Sequence, residues 1–175
     1  MTIKPPQARK LDIKQVPAAA DMARVDTLDA IIILLPESSL QKRWPDFPHA
    51  ERLRKRVPEG KTSLAPMRAD LPNPRGTVAV MAGYKPDASV FELLTLVRKC
   101  VAKARETEPA ALGLLLPACS DVLRPVLTEA LVAAVAAADG LAGASDGAGA
   151  DAGGAAVVAL DAGGVAVAAG LHADR

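Results

Sequence analysis

Three short runs along the chain are almost wholly apolar, and each is closed or opened by turn residues. Asp29–Leu35 (DAIIILL) runs apolar into Pro36; Gly76–Ala82 (GTVAVMA) starts after the turn-forming Pro72-Asn-Pro-Arg; Ala111–Leu116 (ALGLLL) meets Pro117. Apolar runs of this length, the first two also rich in β-branched residues, predict buried strands of the kind found in parallel sheets covered on both faces. Between the second and third runs the period changes. From Ser89, the residues Val90, Leu93, Leu94, Val97, Cys100, Val101 and Ala104 recur at helical spacing, with Glu92, Thr95, Lys99 and Lys103 on the other side. Ser89 and Glu92 form an S-x-x-E capping box, and Pro109 ends the segment. A second helix is predicted from about Arg124 to Ala138, with Ser120 available as a cap and Pro125 in the first turn.

The flanks are less regular. Residues 1–27 read as an N-terminal tail. Residues 36–75 carry seven prolines and read as irregular, apart from a short basic helix predicted over His49–Val57 between Pro48 and Pro58. Residues 139–154 are Gly/Ala-rich and read as a flexible loop. Residues 155–175 read as a C-terminal hairpin and tail, with a turn at Asp161–Gly164. The predicted architecture is α/β: a mainly parallel or mixed sheet flanked by helices, with its core in residues 28–138.

Composition narrows the functional classes. The 175 residues are half hydrophobic and 23% charged, with a net charge of +1, so no global pull toward nucleic acid or anionic membrane is expected. Aromatics make up 2%, which counts against a base-stacking platform for single strands. The N-terminal MTIKPPQARKLDIKQV has no apolar signal region, and the apolar stretch 155–171 is broken by Asp161 and Gly163-Gly164. A cytoplasmic protein without a membrane segment is expected.

Residues with chemical potential are few. His49 and His172 are far apart, no H-E-x-x-H or paired C-x-x-C occurs, and Cys100 and Cys119 sit in apolar contexts that suggest buried thiols. Cys119-Ser120 lies between a predicted strand and helix, where either a helix cap or a nucleophile would fit; the cap accounts for Ser120. Gly147–Ala152 nearly matches a dinucleotide loop, but it follows a helix where that motif follows a strand. Gln41–Lys61 holds seven basic and three acidic residues, a local net of +4. Its Arg52, Arg54, Lys55 and Arg56 form either a solvated helix face or a contact patch for phosphate or protein. Trp44 and Phe47 are expected to anchor this proline-rich segment.

Four segments in order, Leu34–Pro36, Trp44–Pro48 (WPDFP), Leu71–Thr77 (LPNPRGT) and Asp87–Lys99 (DASVFELLTLVRK), resemble the N-terminal, macro-like domain of leucyl (cytosol) aminopeptidases. The likeness covers about residues 28–138. It implies a non-catalytic domain that accompanies a metallopeptidase, an enzyme releasing N-terminal amino acids from peptides. In that family the catalytic domain holds two divalent metals, zinc or manganese, with ligands in an N-T-D-A-E-G-R stretch absent from this chain. No catalytic, metal or cofactor residue is therefore expected here. The resemblance further implies a catalytic domain as partner, a homo-oligomer (a hexamer in the family) and DNA as a partner in some members. The alternative is a stand-alone macro-like module binding a nucleotide-type ligand, at the carboxyl ends of its strands, or DNA. The Gly/Ala-rich stretch after Asp139 departs from the family pattern.

Overall fold

The computed structural model describes residues 10–16, 22–42, 44–144, 156–160 and 166–172, with side chains described over 22–42 and 44–138. In chain order the elements are β1 (Lys10–Val16), α1 (Met22–Val25), β2 (Ala30–Pro36), α2 (Glu37–Leu40), α3 (Ala50–Arg54), β3 (Met67–Asp70) and β4 (Val78–Tyr84). Then come α4 (Val90–Arg105), β5 (Ala111–Leu115), α5 (Leu123–Ala144), β6 (Ala156–Leu160) and β7 (Ala166–His172).

The core is a mixed sheet of four strands in the order β5-β2-β4-β3, flanked by helices, which is the α/β class the apolar runs predict. β2 lies in the middle, parallel to both β4 and β5, and β3 closes one side antiparallel to β4. On the side of β5 the backbone of β6, β7 and β1 continues the order. The turn expected at Asp161–Gly164 lies outside the described residues.

The continuous apolar character of β2 has a direct cause: both of its faces are covered. Ala30, Ile32 and Leu34 pack with Leu93, Val97 and Val101 of α4 and Leu127 and Leu131 of α5. Ile31, Ile33 and Leu35 face the other layer, formed by Val25, Leu40, Trp44, Phe47, Leu53 and Leu71. One strand thus serves two cores, and alternation along it separates two apolar environments instead of core from solvent.

Helix α4 begins where the capping box places it. The Ser89 hydroxyl accepts from the N–H of Glu92 at 3.3 Å, and the Glu92 carboxylate accepts from the N–H of Ser89 at 2.8 Å. Ser89→Ala should lower stability by about 1 kcal/mol, measurable as a shift of the urea midpoint; an unchanged midpoint would mean that packing alone holds the helix start. Leu93, Val97, Cys100, Val101 and Ala104 of the apolar stripe are buried and Leu94 is partly buried, but Val90 is 58% exposed, contrary to its expected place in the stripe. It occupies the first helical position, next to the Ser89 cap.

Several other expectations need correction. The stretch 1–27 is not all tail: Lys10–Val16 is a strand, and Val25 and Leu28 belong to the core. Lys10–Lys14 (KLDIK) alternates polar and apolar residues, a short period-2 signal consistent with β1. The region 36–75 is not wholly irregular, since it contains α2 and β3. The basic helix is shorter than His49–Val57 and ends at Arg54, with turns through Val57. Helix α5 runs to Ala144, into the stretch expected as a loop, because Leu141, Ala142 and Ala144 are strong helix formers that offset Gly140 and Gly143. The remainder of that loop lies outside the described residues.

Candidate functional site

At the amino ends of β2, β4 and β5 a polar network ties distant segments together. Thr77 is fully buried. Its hydroxyl donates to the Leu28 carbonyl at 2.6 Å and accepts from the Asn73 amide at 2.8 Å, while the Asn73 carbonyl oxygen accepts the N–H of Thr77 at 2.9 Å. The Asn73 amide also donates to Asp26 at 2.8 Å. The intervening turn closes with the N–H of Gly76 on the Asn73 carbonyl; Gly76 has φ +66°, a conformation that glycine takes without a Cβ clash. Beside it, Arg75 Nε donates to Asp29 at 2.6 Å, and Asp29 accepts the N–H of Ala111 at 2.8 Å. The hydrogen bonds of Thr77, Asn73 and Asp29 tie the starts of β2, β4 and β5 together, which is a structural role.

Burial alone would raise the Asp29 pKa. The hydrogen bond from Arg75, the N–H groups of Ala111 and Ala110 and the Arg75 charge outweigh it and hold the carboxyl below its ordinary 3.8. A depressed folded-state pKa stabilises above the unfolded value and loses that stabilisation as pH falls through the folded value. The stability difference between the native chain and Asp29→Asn should therefore be full at neutral pH and shrink once pH drops below the ordinary value. Urea unfolding at several pH values checks this, and a difference that grew in acid would reverse the assignment.

The carboxyl ends of the same strands are where open α/β sheets place ligands. Among the described residues, side chains at that edge pack into the core. Tyr84, Leu116 and Cys119 are buried within one core cluster. Burial, then its hydrogen bond and charge interaction with Cys119, raises the Tyr84 pKa, with Arg124 opposing. Arg124 bonds Asp121 at 2.7 Å and the Cys119 carbonyl at 3.2 Å. The Ser120 hydroxyl accepts the N–H of Leu123 at 3.4 Å, the capping role its position suggests. Cys100 is buried under α4, where desolvation pushes its thiol up to about 12.

Among the described residues, an open recess lies between α2 and α3. It is a groove of about 950 Å³ with Leu40, Trp44 and Val57 among its apolar walls. Trp44 stacks on Phe47 with centroids 6.1 Å apart, and both rings are buried, so they anchor the Pro-rich segment as expected. The Trp44 Nε1–H is buried without an acceptor among the described residues. His49, just before α3, takes φ +64° and turns the chain into that helix.

The four basic residues singled out in the sequence are all exposed on α3 and the turn after it. Arg54 and Lys55 line the groove, and Arg52 and Arg56 lie outside its lining. The same groove is lined by Glu51 and Glu59, two of the three acidic residues counted in that segment. The spacing Glu51–Lys55, i to i+4 on one helix face, was the available signal. Among the described residues no group of three or more His, Cys, Asp or Glu could hold a metal ion, and no helix is long and apolar enough to cross a membrane. The Gly147–Ala152 near-match lies outside the described residues. No protein-family model matches the chain, and no curated protein matches it at a significant level.

Proposed function

We propose that this chain is a non-catalytic, macro-like domain of a leucyl aminopeptidase-like metallopeptidase, working in the cytoplasm. Its role is to assemble the oligomer, and the two divalent metals belong to a partner catalytic domain. The supporting observation is where the resembling segments fall. Leu34–Pro36 ends the central strand, and Trp44–Pro48 supplies the stacked Trp44 and Phe47 of the lower core. Leu71–Thr77 forms the buried turn network, and Asp87–Lys99 holds the capped start of α4. The resemblance therefore rests on residues that build the domain, which is what a shared domain would share.

The test is an assay of leucine p-nitroanilide hydrolysis with added manganese, together with the sedimentation behaviour of the chain. The expected result is no turnover by the purified chain, and a defined oligomer or a complex with a leucyl aminopeptidase catalytic domain supplied separately. Turnover by this chain alone would overturn the non-catalytic role. A monomer that ignores the catalytic domain would overturn the assembly role.

A further inference from the structure

The groove between α2 and α3 brings together features that the accessory-domain reading does not use. Two cations, Arg54 and Lys55, and two carboxylates, Glu51 and Glu59, line one recess whose walls include Leu40, Trp44 and Val57. None of these four charges makes a hydrogen bond or ion pair with another described residue, although Glu51 and Lys55 stand at the spacing that commonly pairs on a helix.

The balance of charge selects the ligand class. A polyanion would meet Glu51 and Glu59, and a polycation would meet Arg54 and Lys55. An uncharged apolar molecule would cover Leu40, Trp44 and Val57 while taking water from four unmatched charges, which is costly. A molecule with one ammonium, one carboxylate and an apolar body matches both signs and the walls. We propose that this groove is a binding site for a small apolar zwitterion, a dipeptide or amino acid with free ends. Its carboxylate pairs with Arg54 and Lys55, its ammonium with Glu51 or Glu59, and its side chains lie against Trp44. The inference does not depend on the accessory-domain reading.

Trp44 is the single tryptophan of the chain, so its fluorescence reads the groove directly. The 175-residue chain would be titrated with leucyl-leucine, with its N-acetyl and C-amide forms, and with the doubly capped form. The free dipeptide should give a saturable change with a dissociation constant on the order of a millimolar, since each exposed ion pair adds little. Capping either end should weaken binding about fivefold. Arg54→Ser combined with Lys55→Ser, both at exposed positions, should weaken the free dipeptide by a similar factor and leave the C-amide form unaffected. Equal binding of the doubly capped form, a flat signal to tens of millimolar, or unchanged affinity in the double variant would overturn the proposal. So would saturation by a duplex oligonucleotide that the double variant abolishes, which would assign the groove to a polyanion.

Discussion

Leu34→Ala is expected to destabilise the chain by roughly 2–5 kcal/mol. Leu34 has no exposed surface and sits on β2, the strand at the middle of the four-stranded core, opposite Ala82 of β4. It belongs to the cluster that joins the sheet to α4 and α5. Truncation removes three methyl or methylene groups from a site walled on one side by sheet and on the other by two helices, which cannot collapse freely, so a cavity term adds to the lost transfer energy. Against a typical total of about 5–15 kcal/mol, a loss of that size leaves a chain near its unfolding threshold. Urea denaturation should show a lower midpoint with an unchanged slope. Val90→Ala is the comparison: with Val90 58% exposed, it should move stability by no more than about 0.5 kcal/mol. Equal effects of the two substitutions would contradict the placement of β2 between two layers.

Thr77→Val is expected to cost about 1–3 kcal/mol although it preserves shape and volume. The lost hydroxyl is the donor to Leu28 and the acceptor for Asn73, and the site is fully buried, so both partners lose an interaction that water cannot replace. Thr77→Ser, which keeps the hydroxyl, should lose less. Because Asn73 holds Thr77 at two points, Asn73→Ala and Thr77→Val should couple in a double-mutant cycle by about 0.5–3 kcal/mol. Additive effects would mean that the two residues support the amino edge separately. The network fastens α1, the start of β2 and the start of β4 at one place, which explains why the turn LPNPRGT is so fully specified.

The parts of this fold that were legible in the sequence are those whose signal is local. The S-x-x-E box acts across three residues and is built as its spacing implies. The three apolar runs are strands because a segment with two apolar faces must be covered on both, and Pro36 and Pro117 mark where they stop. The parts that were not legible depend on partners far along the chain. Met67–Asp70 is a strand of four residues between Pro66 and Pro72, too short to show a period, and it exists because β4 offers a free edge. Val90 keeps helical spacing with its stripe, yet at the first helical position it stays exposed.

The candidate site divides in the same way. Seven basic residues in Gln41–Lys61 are countable, and the count says nothing about their neighbours. Of the four singled out, only Arg54 and Lys55 turn into the groove, where they meet Glu51 and Glu59 over an apolar wall. Thus the sequence alone determined the α/β class, the positions of the three central strands and the capped helix, because period and caps are properties of neighbouring residues. The order of strands around β2, the burial of Tyr84, Leu116 and Cys119 at its carboxyl end, the Thr77 network and the mixed charge of the groove were decided by tertiary structure, because each arises from residues tens of positions apart or from a chain turn that aims side chains at a common space.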